Sequence, residues 1–351
     1  MSSLSLAGGR AVARSVPARP LAVIAAASLL CAFLTVVWAG PAAATSFTSV
    51  SFVDAQNGWF TGVSPVPAHG PACCRIWRTT DGGKTVKQLP KRQAAWGGAW
   101  PLLCFTDREV GVWSDGGNLH RTIDSGMRWT PVSWPNAGPA GIPNDLGFAD
   151  ASNGWVTTRY GSAGDSGGEI AKTTDGGATW NTVRSTDDVF GFYDGLSSPS
   201  PQRCYVLGTG ELGGLWVTTD GGDNWTRRAV PGGDPGWGGR IAFPAVGTGW
   251  LIGSNGIART TNGGQGWTKQ PSGTQQGLVA LDFVDTLNGW AVGQKGAIVA
   301  TRDGGAHWRP QSSGTTASLS DVDFVDRLRG WAVGMGVRLR TTDGGKTWKK
   351  L

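Results

Sequence analysis

Short apolar runs separated by turns recur along the chain, and the clearest set lies between residues 278 and 311. The apolar run LVALDFVD is followed by a turn at residues 286–288, the segment GWAVG and a second turn at residues 295–296. The segment AIVATR, the corner DGGAHW and a further segment from Arg309 complete the set. Short apolar runs bounded by Gly, Asn and Asp are typical of β-strands joined by tight turns. The pattern therefore predicts a unit of four antiparallel strands.

The corner before the fourth strand occurs seven times. In most copies an Asp is followed five residues later by a Trp. The pairs are Asp81/Val86, Asp124/Trp129, Asp175/Trp180, Asp220/Trp225, Asn262/Trp267, Asp303/Trp308 and Asp343/Trp348. Their first members lie 43, 51, 45, 42, 41 and 40 residues apart. A period in this range predicts an all-β fold, a seven-bladed β-propeller of four-stranded antiparallel blades.

The residue types of the corner predict a structural role for its Asp. In the last copy, Thr341 and Asp343 offer oxygen acceptors to the N–H groups of the turn, and Gly345 takes backbone angles that other residues avoid. Trp348 then anchors the hairpin in the core. We interpret Asp81, Asp124, Asp175, Asp220, Asn262, Asp303 and Asp343 as turn residues and not as paired catalytic carboxylates.

The repeats leave room for one domain and one targeting segment. The predicted blades span residues 46–90, 94–133, 141–185, 188–231, 236–273, 274–314 and 315–351, within a domain of residues 45–351. Residues 1–44 combine an Arg-bearing start, an apolar run at 21–39 and small residues at 42–44, which is typical of a cleaved signal peptide. The run is also long enough for an uncleaved anchor. Either way we expect an exported protein, extracellular, periplasmic or lumenal.

Composition and charge narrow the class of partner. The chain has 57 Gly and 19 Trp, which suits many tight turns between sheets packed with large side chains. Its net charge is +6, but Arg10, Arg14 and Arg19 lie in the first 44 residues, which contain no acid, so the remainder carries +3. That excess is too small to indicate nucleic acid as a partner.

The corner resembles the Asp-box, or bacterial neuraminidase repeat. GWAVG followed by TTDGGKTW is similar to the seven-bladed propellers of the photosystem II stability and assembly factor family. This resemblance implies a non-enzymatic scaffold in an exported or lumenal compartment that binds a client polypeptide and aids assembly of a membrane complex. Asp-boxes also occur in sialidases, xyloglucan-cleaving enzymes and sortilin-type receptors. A carbohydrate-binding or glycoside-hydrolysing propeller is therefore the alternative.

Residues suited to catalysis or metal binding are sparse. A sialidase-like site needs a Tyr nucleophile among clustered arginines, whereas this chain has only Tyr160, Tyr193 and Tyr205. The three histidines, His69, His120 and His307, fall in different blades without metal-type spacing. We therefore expect no catalytic residue, no metal site and no cofactor. After signal cleavage, Cys73, Cys74, Cys104 and Cys204 allow three complete disulfide pairings, and all three remain open.

The candidate partner site rests on features that break the repeat. Long insertions at residues 62–74 and 159–169 should lie at the end of the ring opposite the Asp-box corners. Four Trp residues outside the repeat positions should lie at that same end, near cationic side chains. The candidate set is Trp96, Trp100, Trp134, Trp237, Arg92, Arg159 and Arg240. Aromatic and Arg side chains suit a polypeptide client or a glycan. The alternative is that these Trp residues plug the channel mouth or pack beneath their own loops.

Overall fold

The structure is a computed structural model that describes residues 45–64, 73–90, 101–115, 117–132, 141–162, 165–186, 191–233 and 239–351. These residues form seven four-stranded antiparallel sheets, each built from four consecutive strands. In the described ranges the helical elements are two 3₁₀ turns, Gly210–Leu212 and Gln294–Gly296. None of the described helices is long and apolar enough to cross a membrane. The predicted all-β, seven-bladed propeller is confirmed.

Each blade contributes one strand to each of four concentric positions. The first strands are β1 Ser46–Phe52, β5 Leu103–Phe105, β9 Ile142–Phe148, β13 Tyr193–Ser200, β17 Arg240–Ala245, β21 Leu278–Phe283 and β25 Leu319–Phe324. The second strands are β2 Gly58–Ser64, β6 Gly111–Ser114, β10 Gly154–Ser162, β14 Arg203–Gly208, β18 Thr248–Gly253, β22 Gly289–Gly293 and β26 Gly330–Gly334.

The outer half of each blade consists of its third and fourth strands. The third strands are β3 Cys73–Thr79, β7 Leu119–Thr122, β11 Asp165–Thr173, β15 Gly214–Thr218, β19 Gly256–Thr260, β23 Ile298–Thr301 and β27 Val337–Thr341. The fourth strands are β4 Lys87–Gln88, β8 Thr130–Val132, β12 Asn181–Thr186, β16 Thr226–Arg228, β20 Thr268–Gln270, β24 Arg309–Gln311 and β28 Lys349–Lys350.

The first strands of neighbouring blades contact one another all the way round, including β1 with β25, so the sheets close into a ring around a central channel. Within the described residues, blades 1 and 7 are built from β1–β4 and β25–β28, and no strand is exchanged between them. Closure instead uses an isolated backbone bridge between Ser46 and Met335 and side-chain contacts between blades 7 and 1.

The Gly-Trp pair that opens the second strand holds neighbouring blades together. In blade 6, a Cβ on Gly289 would lie 2.3 Å from the ring of Phe283, so only glycine leaves room for this ring. The other side of Phe283 stacks on Trp250 of blade 5, with ring centroids 3.8 Å apart. Stacked rings also join blades 7 and 1, 1 and 2, 4 and 5, and 6 and 7. The motif is thus an inter-blade sandwich of Gly, Phe and an aromatic ring.

In blades 1, 5, 6 and 7 the same Trp residue also ties its sheet to the Asp-box of the next blade. The indole Nε1 of Trp290 donates to the carbonyl of Gly344 in blade 7, at 3.2 Å, and that of Trp331 donates to Gly82 in blade 1, at 2.9 Å. A cation of the Trp's own blade lies near its ring, as Arg302 does 4.4 Å from the centroid of Trp290. Because the indole N–H is fully buried, this hydrogen bond prevents an unsatisfied donor.

The two ends of the ring differ. At one end the Asp-box turns rest on the turns between first and second strands, as when Gly304 N donates to the carbonyl of Leu287. We call this the box end. The turns between second and third strands lie at the other end, where β10 and β11 of blade 3 form a hairpin with strands of nine residues each. We call this the insertion end.

The aromatic sandwich gives a prediction about stability. Replacing Phe283 with Ala should lower the free energy of unfolding by about 3–5 kcal/mol, because it leaves a void between Gly289 and Trp250. Leu287, which is 49% exposed at the box end, serves as the control. Its replacement with Ala should cost less than about 0.5 kcal/mol in urea unfolding. Equal losses for the two variants would show that the ring does not depend on this sandwich.

Candidate functional site

The Asp-box carboxylates are occupied by their own turns. In blade 7, Thr341 Oγ1 donates to Asp343 Oδ1 at 2.8 Å and accepts from Gly345 N at 2.8 Å. The N–H of Thr347 also donates to Asp343, at 2.9 Å. Hydrogen bonds from the residue four positions later lower the pKa of Asp81, Asp303 and Asp343 to about 2, and the hydrogen bond from the Thr two positions earlier adds a smaller effect.

The remaining boxes use the same geometry. Asp124, Asp175 and Asp220 each accept from the hydroxyl two residues earlier and from the N–H four residues later. In blade 5, Asn262 Oδ1 takes both hydrogen bonds, from Thr260 Oγ1 and Gly266 N at 2.9 Å each. The amide oxygen therefore reproduces the turn without a charge. All seven side chains are engaged locally and separated from one another by blade.

A second group of polar side chains, on the first strands of the blades, lines the central channel. Their oxygens accept backbone N–H groups from the next blade. Asp323 Oδ2 accepts from Phe52 N at 2.5 Å, and Asp282 Oδ2 accepts from Phe324 N at 2.7 Å. The hydroxyls of Ser51 and Ser197 accept in the same way from the N–H groups of Phe105 and Phe243. These contacts link the inner strands, which are not paired as a sheet.

Four channel carboxylates belong to this lining: Asp145, Asp282, Asp321 and Asp323. Asp145 Oδ2 accepts from Leu196 N at 2.8 Å, and Asp321 Oδ2 accepts from Val50 N at 2.9 Å. Loss of hydration in the channel raises the pKa of Asp321 to about 6. It also raises the pKa of Asp282, and it raises that of Asp323 further because the charge of Asp282 adds to the effect.

The insertion end of the channel carries a mixed polar cluster, which we call the mouth cluster: Asn144, Asp194 and Arg240. These residues come from the starts of the first strands of blades 3, 4 and 5. Arg240 Nη1 lies 3.1 Å from Asp194 Oδ1, and Asn144 Nδ2 donates to the same oxygen at 3.2 Å. Asp194 is buried, whereas the Arg240 side chain remains 35% exposed. One guanidinium is therefore held at the mouth and still accessible.

The structure places two of the seven candidate partner-binding residues. Arg240 lies in the mouth cluster, and Arg159 lies partly exposed in β10, paired with Ile142 at the start of β9. Both are at the insertion end, as expected. The other five candidates, Arg92, Trp96, Trp100, Trp134 and Trp237, lie outside the described residues, so their placement stays a prediction.

Sequence reasoning missed the channel carboxylates. The signal was present in the first strands of blades 6 and 7, where LDF and DVDF place acids between apolar residues. Such alternation ordinarily indicates a solvated face of a sheet. Ring closure turns that face into the wall of a channel, because it places the first strands of all seven blades around one axis.

The cysteines and histidines of the described residues show no reactive or metal-binding arrangement. Cys104 and Cys204 are free thiols, and burial raises the pKa of Cys104 to about 12. His120 Nε2 lies 2.8 Å from Asp115 Oδ2 in a buried pair, and His307 contacts the box residue Asp303. Among the described residues, no three His, Cys, Asp or Glu side chains come together as a metal site.

The channel carboxylates give a prediction about pH. The pKa of Asp321 and Asp282 is higher in the folded protein than the unfolded value near 4, so the folded state binds the extra protons. Stability from these groups is complete below about pH 4 and is lost as the pH rises through the folded pKa. The free energy of unfolding should therefore fall from about pH 5 to pH 8, by on the order of 2 kcal/mol.

The double variant Asp282→Asn/Asp321→Asn should flatten this decline in thermal or urea unfolding, because Asn oxygens still accept the backbone N–H groups. Asp343→Asn is the matched control. Its carboxyl has a lowered pKa and no His partner, so it affects stability only below about pH 4 and leaves the slope unchanged between pH 5 and 8. A double variant with the wild-type slope would rule out the channel as the source.

Comparison with known proteins gives one family model and several solved propellers. Residues 265–351 match the model described as photosynthesis system II assembly factor YCF48. A structure of YCF48 bound to D1 peptide is 18% identical, with a TM-score of 0.63, and the match covers 86% of this chain and 94% of the other. YCF48 from Cyanidioschyzon merolae is 17% identical, with a TM-score of 0.51 and coverage of 89% and 86%.

More distant propellers share the fold as well. The WD40 propeller domain of Doa1 is 12% identical, with a TM-score of 0.59 and coverage of 87% and 96%. No curated protein sequence matches the chain. At these identities the solved structures support the fold alone, while the family model covers the end of blade 5 and all of blades 6 and 7. In its Asp-box repeats and its seven-bladed fold, the chain thus resembles the photosystem II assembly factor family.

Proposed function

We propose that this chain is an exported, non-catalytic scaffold that binds a polypeptide client at its insertion end and assists assembly or stabilisation of a membrane complex. The observation that carries this proposal is the mouth cluster. Arg240 is oriented by Asp194 at the open end of a rigid ring, and Arg159 lies at the same end on the longest hairpin. A fixed guanidinium next to amide and carboxylate groups suits hydrogen bonding to a peptide.

Similarity supports a peptide client. The family model that matches residues 265–351 is that of an assembly factor, and one similar structure is described as YCF48 bound to D1 peptide. On this basis we propose that this chain also binds a peptide. Export is supported by the sequence of residues 1–44, where the apolar run at 21–39 would serve either as a cleaved signal or as an anchor.

A non-catalytic role agrees with how the acids are used. Each box carboxylate is held by its own turn, and each channel carboxylate accepts a backbone N–H from the neighbouring blade. Acids bound in this way hold turns and neighbouring blades together, and removing them would break those contacts. We therefore assign them to structure.

One observation favours a second function, that of a glycoside hydrolase. Asp282 and Asp323 lie close enough for one charge to raise the pKa of the other, and a glycosidase needs one protonated and one ionised carboxyl group. Under this alternative, Asp282→Asn should abolish release of reducing sugar from xyloglucan. Under the scaffold proposal, neither the wild type nor the variant releases sugar.

Binding to the insertion end can be tested with a synthetic D1 peptide and fluorescence anisotropy. We expect measurable binding by the wild-type protein. Replacing both Trp96 and Trp237 with Ala should raise the Kd by about thirtyfold, because buried aromatic residues dominate such interfaces. The melting temperature should change little.

Arg128→Ala, an exposed change at the box end of blade 2, is the matched control and should leave the Kd unchanged. A control variant that binds as weakly as the double Trp variant would place the peptide elsewhere. If the double variant melts early but still binds when folded, the Trp residues pack beneath their own loops. Absence of peptide binding together with sugar release from xyloglucan would favour the hydrolase.

A further inference from the structure

Lysines are concentrated in the outer parts of two blades. Three positions after the Asp-box Asp, the chain has Lys84 in blade 1 and Lys346 in blade 7, whereas the other five blades have Met, Ala, Asp, Gln and Ala. The fourth strands add Lys87 in β4 and both residues of β28, Lys349 and Lys350. Lys84 and Lys346 depart from the repeat, whereas the fourth strands of blades 4, 5 and 6 also carry cations, at Arg227, Lys269 and Arg309.

Ring closure places blades 7 and 1 side by side, although the lysines of one blade are more than 250 residues from those of the other in sequence. Leu351, next to Lys350, packs against Gly83, next to Lys84: a Cβ on Gly83 would lie 2.8 Å from Leu351 Cδ1. Arg340 of β27 reaches the same turn at Gly82. We call the surface formed by Lys84, Lys87, Lys346, Lys349 and Lys350 the basic rim.

The basic rim carries a net positive charge, because its five lysines outnumber the box acids Asp81 and Asp343, of which Asp81 attracts Lys84. All five lysines are exposed, and among the described residues none of them forms an ion pair. The nearest box acids, Asp81 and Asp343, are engaged by the hydroxyl and N–H groups of their turns. A concentrated positive surface attracts anionic partners and speeds their association.

We propose that the basic rim is a docking surface for an acidic polypeptide segment. Lys84 and Lys346 lie in turns at the box end, whereas Lys87, Lys349 and Lys350 lie on the outer edge strands. The five cations therefore wrap around an edge and do not lie in one plane. A flat lipid surface contacts only part of such an arrangement. An extended chain, which advances about 3.3 Å per residue, bends over the edge and brings a carboxylate to each lysine.

This surface is separate from the insertion end, so it does not depend on the proposed client site. It gives the scaffold a second contact, at the opposite end and on its outer edge. Two contacts to one assembly raise the effective local concentration of the second partner once the first is bound.

The test uses fluorescein-labelled octaglutamate as the probe and the purified chain, with binding measured by anisotropy. Wild-type protein should bind the peptide, and the Kd should rise at least tenfold between about 20 mM and about 200 mM salt. Lys349→Glu/Lys350→Glu should weaken binding at least tenfold at low salt. Lys269→Glu/Arg309→Glu, which changes the net charge equally on the outer strands of blades 5 and 6, should change the Kd less than about twofold.

Equal weakening by the two double variants would mean that only net charge matters and would overturn the proposal. So would binding of vesicles containing anionic phosphatidylglycerol without binding of octaglutamate. Circular dichroism melting on both double variants establishes that each is folded. The Trp96→Ala/Trp237→Ala variant should keep full octaglutamate affinity, so failure of the rim proposal and failure of the client-site proposal give different results.

Discussion

The contact on which this ring depends is the sandwich of a Phe ring between a glycine of its own sheet and an aromatic ring of the preceding blade. Each β-sheet here has four short strands and could not bury its faces alone. The sandwich joins two such faces at 3.5–3.8 Å and recurs at five of the seven blade interfaces. At the other two, Val112 replaces the aromatic ring in a cluster with Phe148 and Trp180, and Trp155 lies in a cluster with Leu196.

The inner strands are held by a different interaction. The first strands of neighbouring blades do not pair with each other as a sheet. Instead, side-chain oxygens of one blade accept hydrogen bonds from the backbone N–H groups of the next. Where the acceptor is a carboxylate, the bond is stronger than with a serine hydroxyl but places charge in a poorly hydrated channel. The raised pKa of Asp321 shows the cost of that arrangement. Cohesion of the ring and the electrostatics of its channel therefore have the same origin.

Departures from the repeat fall into two regions. The insertion end has the long β10–β11 hairpin and the mouth cluster, while the outer edge of blades 7 and 1 has the basic rim. Five of the seven interfaces between blades keep the contact of Gly, Phe and a second aromatic ring, which allows little change. Turns and edge strands are free of that constraint, and they carry the features that suit binding.

The sequence by itself determined the fold, because its local signals agree. The seven Asp-box corners, the Gly-Trp openings and the alternation of apolar residues each specify a strand or a turn within a few residues, and their period specifies the ring. It also indicated Arg159 and Arg240 as residues at the insertion end. Tertiary structure decided the rest. The pairing of Arg240 with Asp194, the channel position of Asp282 and Asp323, and the contact of Gly83 with Leu351 all cross blade boundaries. No local pattern records such contacts, since they exist only after distant repeats are brought side by side by closure of the ring.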